Sequence, residues 1–284
     1  MPLRAIKLLI SLSVAAADWV AAQMRELLGR RPAPRCVVLY YHGVRRHGRA
    51  RFAAQMDDLT RLSVPVAIAA TDSRPEGRRY SAVTFDDGLM SVVENALPEL
   101  LARRIPCEIF VPTGSIGRHP SWIAPEHHDA SEVVASAAVL RSLARVPLVR
   151  IGSHSVSHAD FRSLDDAAAT DELMRSKTML EDVTGREVTT FSFPHGAYTP
   201  RSLDLARQCG YARVFTIEPV QLKNVHKAFA IGRVRVEPHD WPIEFRLKVL
   251  GAYRWMVRAS RLKRDLLGIM RGRRVVAPQP PQSL

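Results

Sequence analysis

The chain has little cysteine. Cys36, Cys107 and Cys209 are too few and too widely spaced for a disulfide framework, and with no Cys-x-x-Cys pair they do not read as a zinc ribbon. They are expected as buried free thiols. No run of eighteen apolar residues occurs, which argues against a full-length membrane span. Acidic residues are also short, at 28 against 41 Lys and Arg, but the deficit is local. Residues 1–35 carry +4 and residues 241–284 carry +8, leaving +1 on the long middle segment. A nucleic-acid enzyme would line its cleft with that excess; here the ends hold it, so nucleic acid is not an expected partner. What remains is ordinary globular composition, 46% hydrophobic and 24% charged, in 284 residues. That length gives one large domain or two small ones with a real core, and excludes a peptide-like or wholly disordered chain.

The basic ends read as surface-seeking. From Ala5 to Leu28 the sequence is apolar, broken by Lys7 and Asp18 and stopped by Gly29-Arg30-Arg31-Pro32. Arg4 and Lys7 ahead of Leu8–Val14 fit a short signal peptide. Apolar spacing that continues through Trp19, Met24 and Leu28 favours an amphipathic helix lying on a membrane or on the protein itself. From Trp241 to Arg274, Phe245, Val249, Tyr253 and Met256 recur at roughly helical spacing among Arg246, Arg254, Arg258 and Arg261, as in a basic amphipathic helix. Either a packed helix with a solvated face or one touching anionic lipid gives that pattern. The proline-rich tail from 275 to 284 is expected to be disordered.

Between the ends, short β-branched or aromatic runs alternate with helical stretches. Strands are expected at Cys36–His42, Val64–Ile68, Ser81–Asp86, Cys107–Pro112, Leu148–Ser153, Thr189–Phe193, Arg213–Ile217 and Phe229–Glu237. Helices are expected at Arg51–Leu62, Leu89–Arg103, Ser131–Ala144, Asp165–Val183 and Pro200–Cys209. Alternation with near-continuous apolar strands implies a parallel sheet covered by helices. So many units in so short a segment suggest an α/β barrel, whose chemistry sits just past the strand ends.

Three of those ends hold unusual residues. Thr84-Phe85-Asp86-Asp87-Gly88 ends the third strand with adjacent carboxylates. Neighbouring strand residues face opposite ways, so both enter one site only if the backbone turns there, which Gly88 permits. A nearby cation is the simplest reason to keep two such carboxylates ionised; an ordinary solvated turn is the plainer reading. His154-Ser155-Val156-Ser157-His158 follows the fifth strand, and on a helical turn that spacing puts both imidazoles on one side. Two histidines and an aspartate leave room for water on a catalytic zinc. Phe191-Ser192-Phe193-Pro194-His195-Gly196 ends the sixth strand, where a turn can expose a backbone N–H to a developing oxyanion; a tight loop without catalytic duty also fits. His42 ends the first strand at the rim.

Together these motifs resemble the polysaccharide deacetylases, the NodB-type carbohydrate esterases, over residues 36–240. Tyr41-His42-Gly43-Val44 is similar to a branch associated with exopolysaccharides. The resemblance implies an irregular (β/α) barrel with the basic helices at its two ends. It implies Asp87, His154 and His158 as ligands of a divalent metal, Zn²⁺ first and Co²⁺ or Ni²⁺ next, with Asp86 as general base. Pro194 and His195, through the His195 N–H, would form the oxyanion site. The implied reaction is hydrolysis of N-acetyl groups on the sugars of a glycan, in exopolysaccharide biosynthesis or modification. Three positions depart from the family pattern. Ser192 stands where many members have an arginine that holds the base, and His195 where an aromatic residue is usual. The proton-donating histidine has no clean match, leaving His239, then His42, then His226 as candidates for the acid. A non-catalytic glycan-binding scaffold is the alternative function. Trp122 and Trp241 are candidate sugar platforms. The basic ends suggest a place at an anionic membrane surface, on the cytoplasmic face, with export by a signal-like N-terminus as the alternative.

Overall fold

A computed structural model describes residues 2–30, 34–68, 77–123, 126, 131–222, 228–259 and 262. Six parallel strands run round a barrel in chain order: β1 (Arg35–Tyr41), β3 (Arg79–Phe85), β4 (Cys107–Val111), β5 (Val149–Ser153), β6 (Thr190–Ser192) and β7 (Arg213–Thr216). The next stretch fills the last position twice over. Its first half, β9 (Ala230–Gly232), pairs with β7, and its second half, β10 (Val234–Arg235), pairs with β1. Arg233 stands between them, at the joint that brings the last strand round to the first. Lower on the barrel, β2 (Val64–Pro65) pairs with β3, and β8 (Gln221–Leu222) runs antiparallel to β1. The β5–β6 seam is the slightest, with Ser153 opposite Phe191 as its one register pair.

Strand parity sorts the side chains. Val37, Leu39, Tyr41, Val83, Phe85, Ile109, Val111 and Val214 point outward to the helices in the main core. Cys36, Val38, Tyr80, Ala82, Phe110, Phe215 and Ile231 fill the lumen as a second cluster. Outside lie α2 (Arg49–Leu62), α3 (Leu97–Ala102), α4 (Ala137–Leu143), α5 (Asp166–Thr184), α6 (Pro200–Gln208) and α7 (Pro242–Val249). Their ends follow local chemistry. Asp165 caps α5 by accepting from Ala168 N, and Gly185, at φ 64°, closes it. Thr199 and Ser202 form a capping box around Pro200 at the start of α6. All three cysteines are buried thiols outside any disulfide, as expected.

Several elements differ from the sequence expectation. The Leu89–Arg103 helix is a π-helical turn over Val92–Ala96 leading into α3, since Pro98 has no N–H to give a regular helix. The helix foreseen from Ser131 starts only at Ala137, because Ser136 caps it. At the C-terminal end, the single helix expected over 241–274 is interrupted: α7 stops, Gly251 takes φ 73°, and a short turn over Ala252–Arg254 follows. Residues 260–261 and 263–284, with the expected tail, lie outside the described residues. At the other end, α1 (Pro2–Leu27) runs its full length to Gly29, whose φ is 67°. It is long and apolar enough to cross a membrane, which corrects the argument from uninterrupted runs: scattered charges break a run without shortening a helix.

Candidate active site

The lumen rows end at the top of the barrel in polar groups. The same parity that buries Val38, Ala82, Phe110, Gly152 and Ile231 carries upward to Tyr40 and His42, Thr84 and Asp86, His154, Ser192 and Arg233. Asp86 N still bonds Tyr41 O at 2.9 Å, and His154 N bonds Val111 O at 3.1 Å, so both begin from the ends of the strand ladders.

Arg233 holds Asp86. Its Nη1 and Nη2 reach the two carboxylate oxygens at 2.8 Å each, a bidentate pair with Arg233 at 0% and Asp86 at 4% exposure. The remaining donors go to Thr84 Oγ1 at 3.1 Å, Ser192 Oγ at 2.8 Å and Thr216 O at 3.2 Å, so all five guanidinium N–H groups are used. Ser192 Oγ in turn donates to Asp86 Oδ1 at 3.2 Å. Tyr40, Phe110 and Phe215 surround the guanidinium with rings 4.6, 5.4 and 5.7 Å away. Burial alone would push the Asp86 carboxyl up, but the Arg233 charge, then His154 and His42, outweigh it and hold it well below the usual carboxylate range. Arg233 therefore does from the closing strand what the missing arginine at Ser192 would have done. Sequence reasoning passed over it; the available signal was a charge at Ile231's parity inside an apolar run. Gly232 lets the chain make this joint, because a Cβ there would lie 2.2 Å from Glu218 O.

The next residues leave extended geometry. Among the described residues, five non-glycine residues have positive φ, and four are Asp87 at 68°, Ser155 at 68°, His158 at 60° and His195 at 59°. Asp87 thus turns into the lumen beside Asp86, and Gly88 follows at φ 59°. The histidine pair does not ride a helical turn. Residues 154–158 form an irregular loop, with Ser155 Oγ accepting His158 N at 3.0 Å. Glu172 on α5 pins it by accepting Val156 N at 2.7 Å, Ser157 N at 2.9 Å and Ser157 Oγ at 2.7 Å. Glu172 was not foreseen, and its neighbourhood in sequence gives no hint of it.

One ligand atom from each of Asp87, His154 and His158 lies within 4.8 Å of the others, all buried. Asp87 Oδ1 is 3.3 Å from His158 Nε2 and 3.7 Å from His154 Nε2, yet it is buried with no hydrogen bond. His154 Nδ1 sits 2.7 Å from Ser192 O, which fixes the proton there and turns the Nε2 lone pair inward. Burial pushes His154 down to about 4, so the ring is neutral at pH 7. Burial opposes the Asp87 carboxylate, but the neighbouring His158, His42 and His154 more than offset it and hold its pKa below the usual carboxylate range. A carboxylate and two imidazoles around an unfilled acceptor suit a divalent cation.

Around this centre the rim is mixed. The Pro194–Gly196 turn puts His195 against His158, ring centroids 4.5 Å apart at 83°. Trp122 stacks on His158 at 4.2 Å and 13° and also packs against the main core, so it is a packing residue that walls the site. A groove of about 640 Å³ opens beside Asp87, lined in part by His42, Arg51, Trp122, Glu237 and His239. Of the candidate acids, His42 follows β1 and lines the groove together with Asp87, within electrostatic reach of both Asp86 and Asp87. His239 is exposed on the groove wall, and its carbonyl accepts from Arg4 at 3.4 Å. Trp241 lies under the Arg4 guanidinium, 4.3 Å away, outside the groove lining. His226 lies outside the described residues.

Comparison with known proteins agrees with this geometry. YxkH of Bacillus subtilis (strain 168), assigned to the polysaccharide deacetylases, is 26% identical over 172 residues, 61% of this chain. The chain spans 57% of that curated relative's length. IcaB from Ammonifex degensii superposes with a TM-score of 0.63 at 25% identity, covering 77% of this chain and 97% of IcaB. The BpsB deacetylase domain from Bordetella bronchiseptica shares the fold at 22% identity with a TM-score of 0.56, over 71% of this chain and 96% of that domain. The polysaccharide deacetylase family model matches residues 73–214, half of the sequence, from before the paired aspartates to past the proline loop. The chain belongs to the polysaccharide deacetylase family.

Proposed function

We propose that the protein is a metal-dependent N-deacetylase of acetamido sugars in a glycan, serving exopolysaccharide synthesis or modification. The observation that carries this reading is the buried Asp87, His154 and His158 cluster beside a carboxylate, Asp86, that Arg233 keeps ionised. Asp87, His154 and His158 would hold the ion, Zn²⁺ by their donor set, with Co²⁺ or Ni²⁺ able to replace it. When bound, the ion supplies Lewis acidity to water and to the acetamide carbonyl.

The chain's own groups do the rest. Asp86 accepts a proton from the attacking water as its oxygen bonds to the carbonyl carbon. The His195 N–H, at the apex of the Pro194 turn, is the proposed donor to the developing oxyanion. His42 gives a proton to the amide nitrogen as the carbon–nitrogen bond breaks, releasing acetate and an amino sugar. Its place near both carboxylates supports it over His239 in that role. Trp122 offers an apolar wall for a sugar ring.

A non-catalytic scaffold is the competing reading because position 192 lacks arginine and the proton-donating histidine has no clean match. Arg233 supplies that guanidinium, which supports an active enzyme. The test is acetate release from N-acetylated oligosaccharides, with metal analysis. Activity should stop with chelator and return with Zn²⁺; Asp86→Asn should keep metal and lose turnover, and His154→Ala should lose metal. Normal deacetylation by both variants would end the proposal.

A further inference from the structure

The two faces of α1 are used in opposite ways. Arg4, Leu8, Ser11, Ala15 and Asp18 recur every three or four residues and so form one stripe. That stripe is docked on the barrel. Arg4 Nε donates to Glu244 Oε2 at 2.8 Å, Trp255 Nε1 donates to Ser11 Oγ at 3.0 Å, and Arg254 grips both Asp18 oxygens at 2.7 and 2.9 Å. Leu8, Val14 and Ala15 pack between these polar contacts against Leu247, Ala252 and Tyr253. The opposite face shows Ile6, Leu9, Val20, Met24 and Leu27, each more than half exposed, with Trp19 at its flank. A surface helix of a globular protein is arranged the other way, apolar inward and charged outward. A face of this kind has a partner.

We infer that α1 lies along the surface of an anionic lipid bilayer, its apolar face in the boundary between headgroups and acyl chains and its polar stripe clasped to the barrel. Charge selects this occupant. The first thirty-five residues carry +4 and the last forty-four carry +8, which complements acidic headgroups and opposes pairing with a second copy of the same helix. Spanning the bilayer would pull Asp18 into hydrocarbon and separate it from Arg254, a costly exchange for a charge already paired. The Arg4 end is close to the substrate groove. Its guanidinium lies over Trp241, which is 44% exposed beside the 42% exposed Ile243, and it bonds the carbonyl of His239 on the groove wall. A helix resting on lipid therefore sets the groove at headgroup level, where a membrane-borne glycan would meet it. The lipid contact stands on the helix alone; only the glycan clause rests on the deacetylase reading.

The test is co-sedimentation of the full chain with phosphatidylcholine vesicles, with and without phosphatidylglycerol. Binding is expected to the anionic vesicles, falling by about tenfold or more in Leu9→Asn/Val20→Asn, with melting temperature and acetate release from soluble oligosaccharides unchanged. Equal sedimentation of wild type and variant would overturn the inference. So would a mature N-terminus beginning beyond residue 28, protease protection on both sides of a bilayer, or a vesicle-free dimer that the double variant dissolves. Vesicle binding is read without any acetate assay, so failure of the catalytic proposal leaves this result interpretable.

Discussion

Arg233→Met removes the group on which the chemistry of Asp86 depends. The methionine fills much of the volume between Tyr40, Phe110 and Phe215 but takes away five donated hydrogen bonds, two of them to Asp86. Asp86, at 4% exposure, is then a buried carboxylate without its counter-ion. Breaking one side of such a pair costs about 3–5 kcal/mol. Part of that cost is relieved by protonation, because burial, the largest influence on the group, already pushes its pKa upward and its strongest opponent, the Arg233 charge, is gone. A protonated Asp86 cannot accept a proton from water. Deacetylation should therefore fall by about 10²–10³, the equivalent of about 3–4 kcal/mol, with bound metal retained. Acetate release, metal analysis and thermal melts on the same preparations check this. Two further variants isolate the cause. Asp86→Asn/Arg233→Met removes both charges and should be more stable than Arg233→Met alone, a non-additivity expected of groups in contact. Ser192→Arg/Arg233→Ser offers a guanidinium from the other side of Asp86, since Ser192 Oγ already reaches Oδ1 at 3.2 Å, and should regain part of the lost rate. The reasoning fails if Arg233→Met keeps wild-type turnover, or if its stability loss is the same whether residue 86 is Asp or Asn.

Two other predictions probe what surrounds the centre. Glu172→Ala removes three hydrogen bonds from the loop that carries His158, so zinc affinity should drop about 10–100-fold while the fold is kept; competition with a fluorescent chelator measures it, and an unchanged affinity would free the loop from α5. Glu108 is buried in the lumen, one oxygen 2.5 Å from Thr190 Oγ1 and the other without a partner. Burial raises its pKa, so the native state favours the neutral acid: its contribution to stability is full below the ordinary glutamate range and is lost as pH rises through the raised value. Glu108→Gln keeps an oxygen for Thr190 and does not titrate. Its melting temperature should therefore gain on wild type as pH rises from about 4.3 upward, and parallel curves would refute the assignment.

Alternation of short apolar runs with helical stretches was enough to read a helix-covered parallel barrel, because strand and helix periods are local properties of the chain. The two aspartates, the histidine pair and the proline loop were legible for a related reason: each lies within a few residues of a strand end, where barrel chemistry collects. Their geometry was less legible. The histidines meet through left-handed turns at Ser155 and His158 under the grip of Glu172, not through a helical repeat. Arg233 is one hundred and forty-seven residues from the carboxylate it holds, and nothing local in the sequence joins them. Ring closure decides that contact, because the final stretch must pair with β7 on one side and β1 on the other, and the residue between the pairings is forced toward the lumen. The same holds for α1. Composition gives an apolar helix, but only docking against α7 and Arg254 determines which face is left for a partner, since burial is a property of the assembled surface and not of the chain.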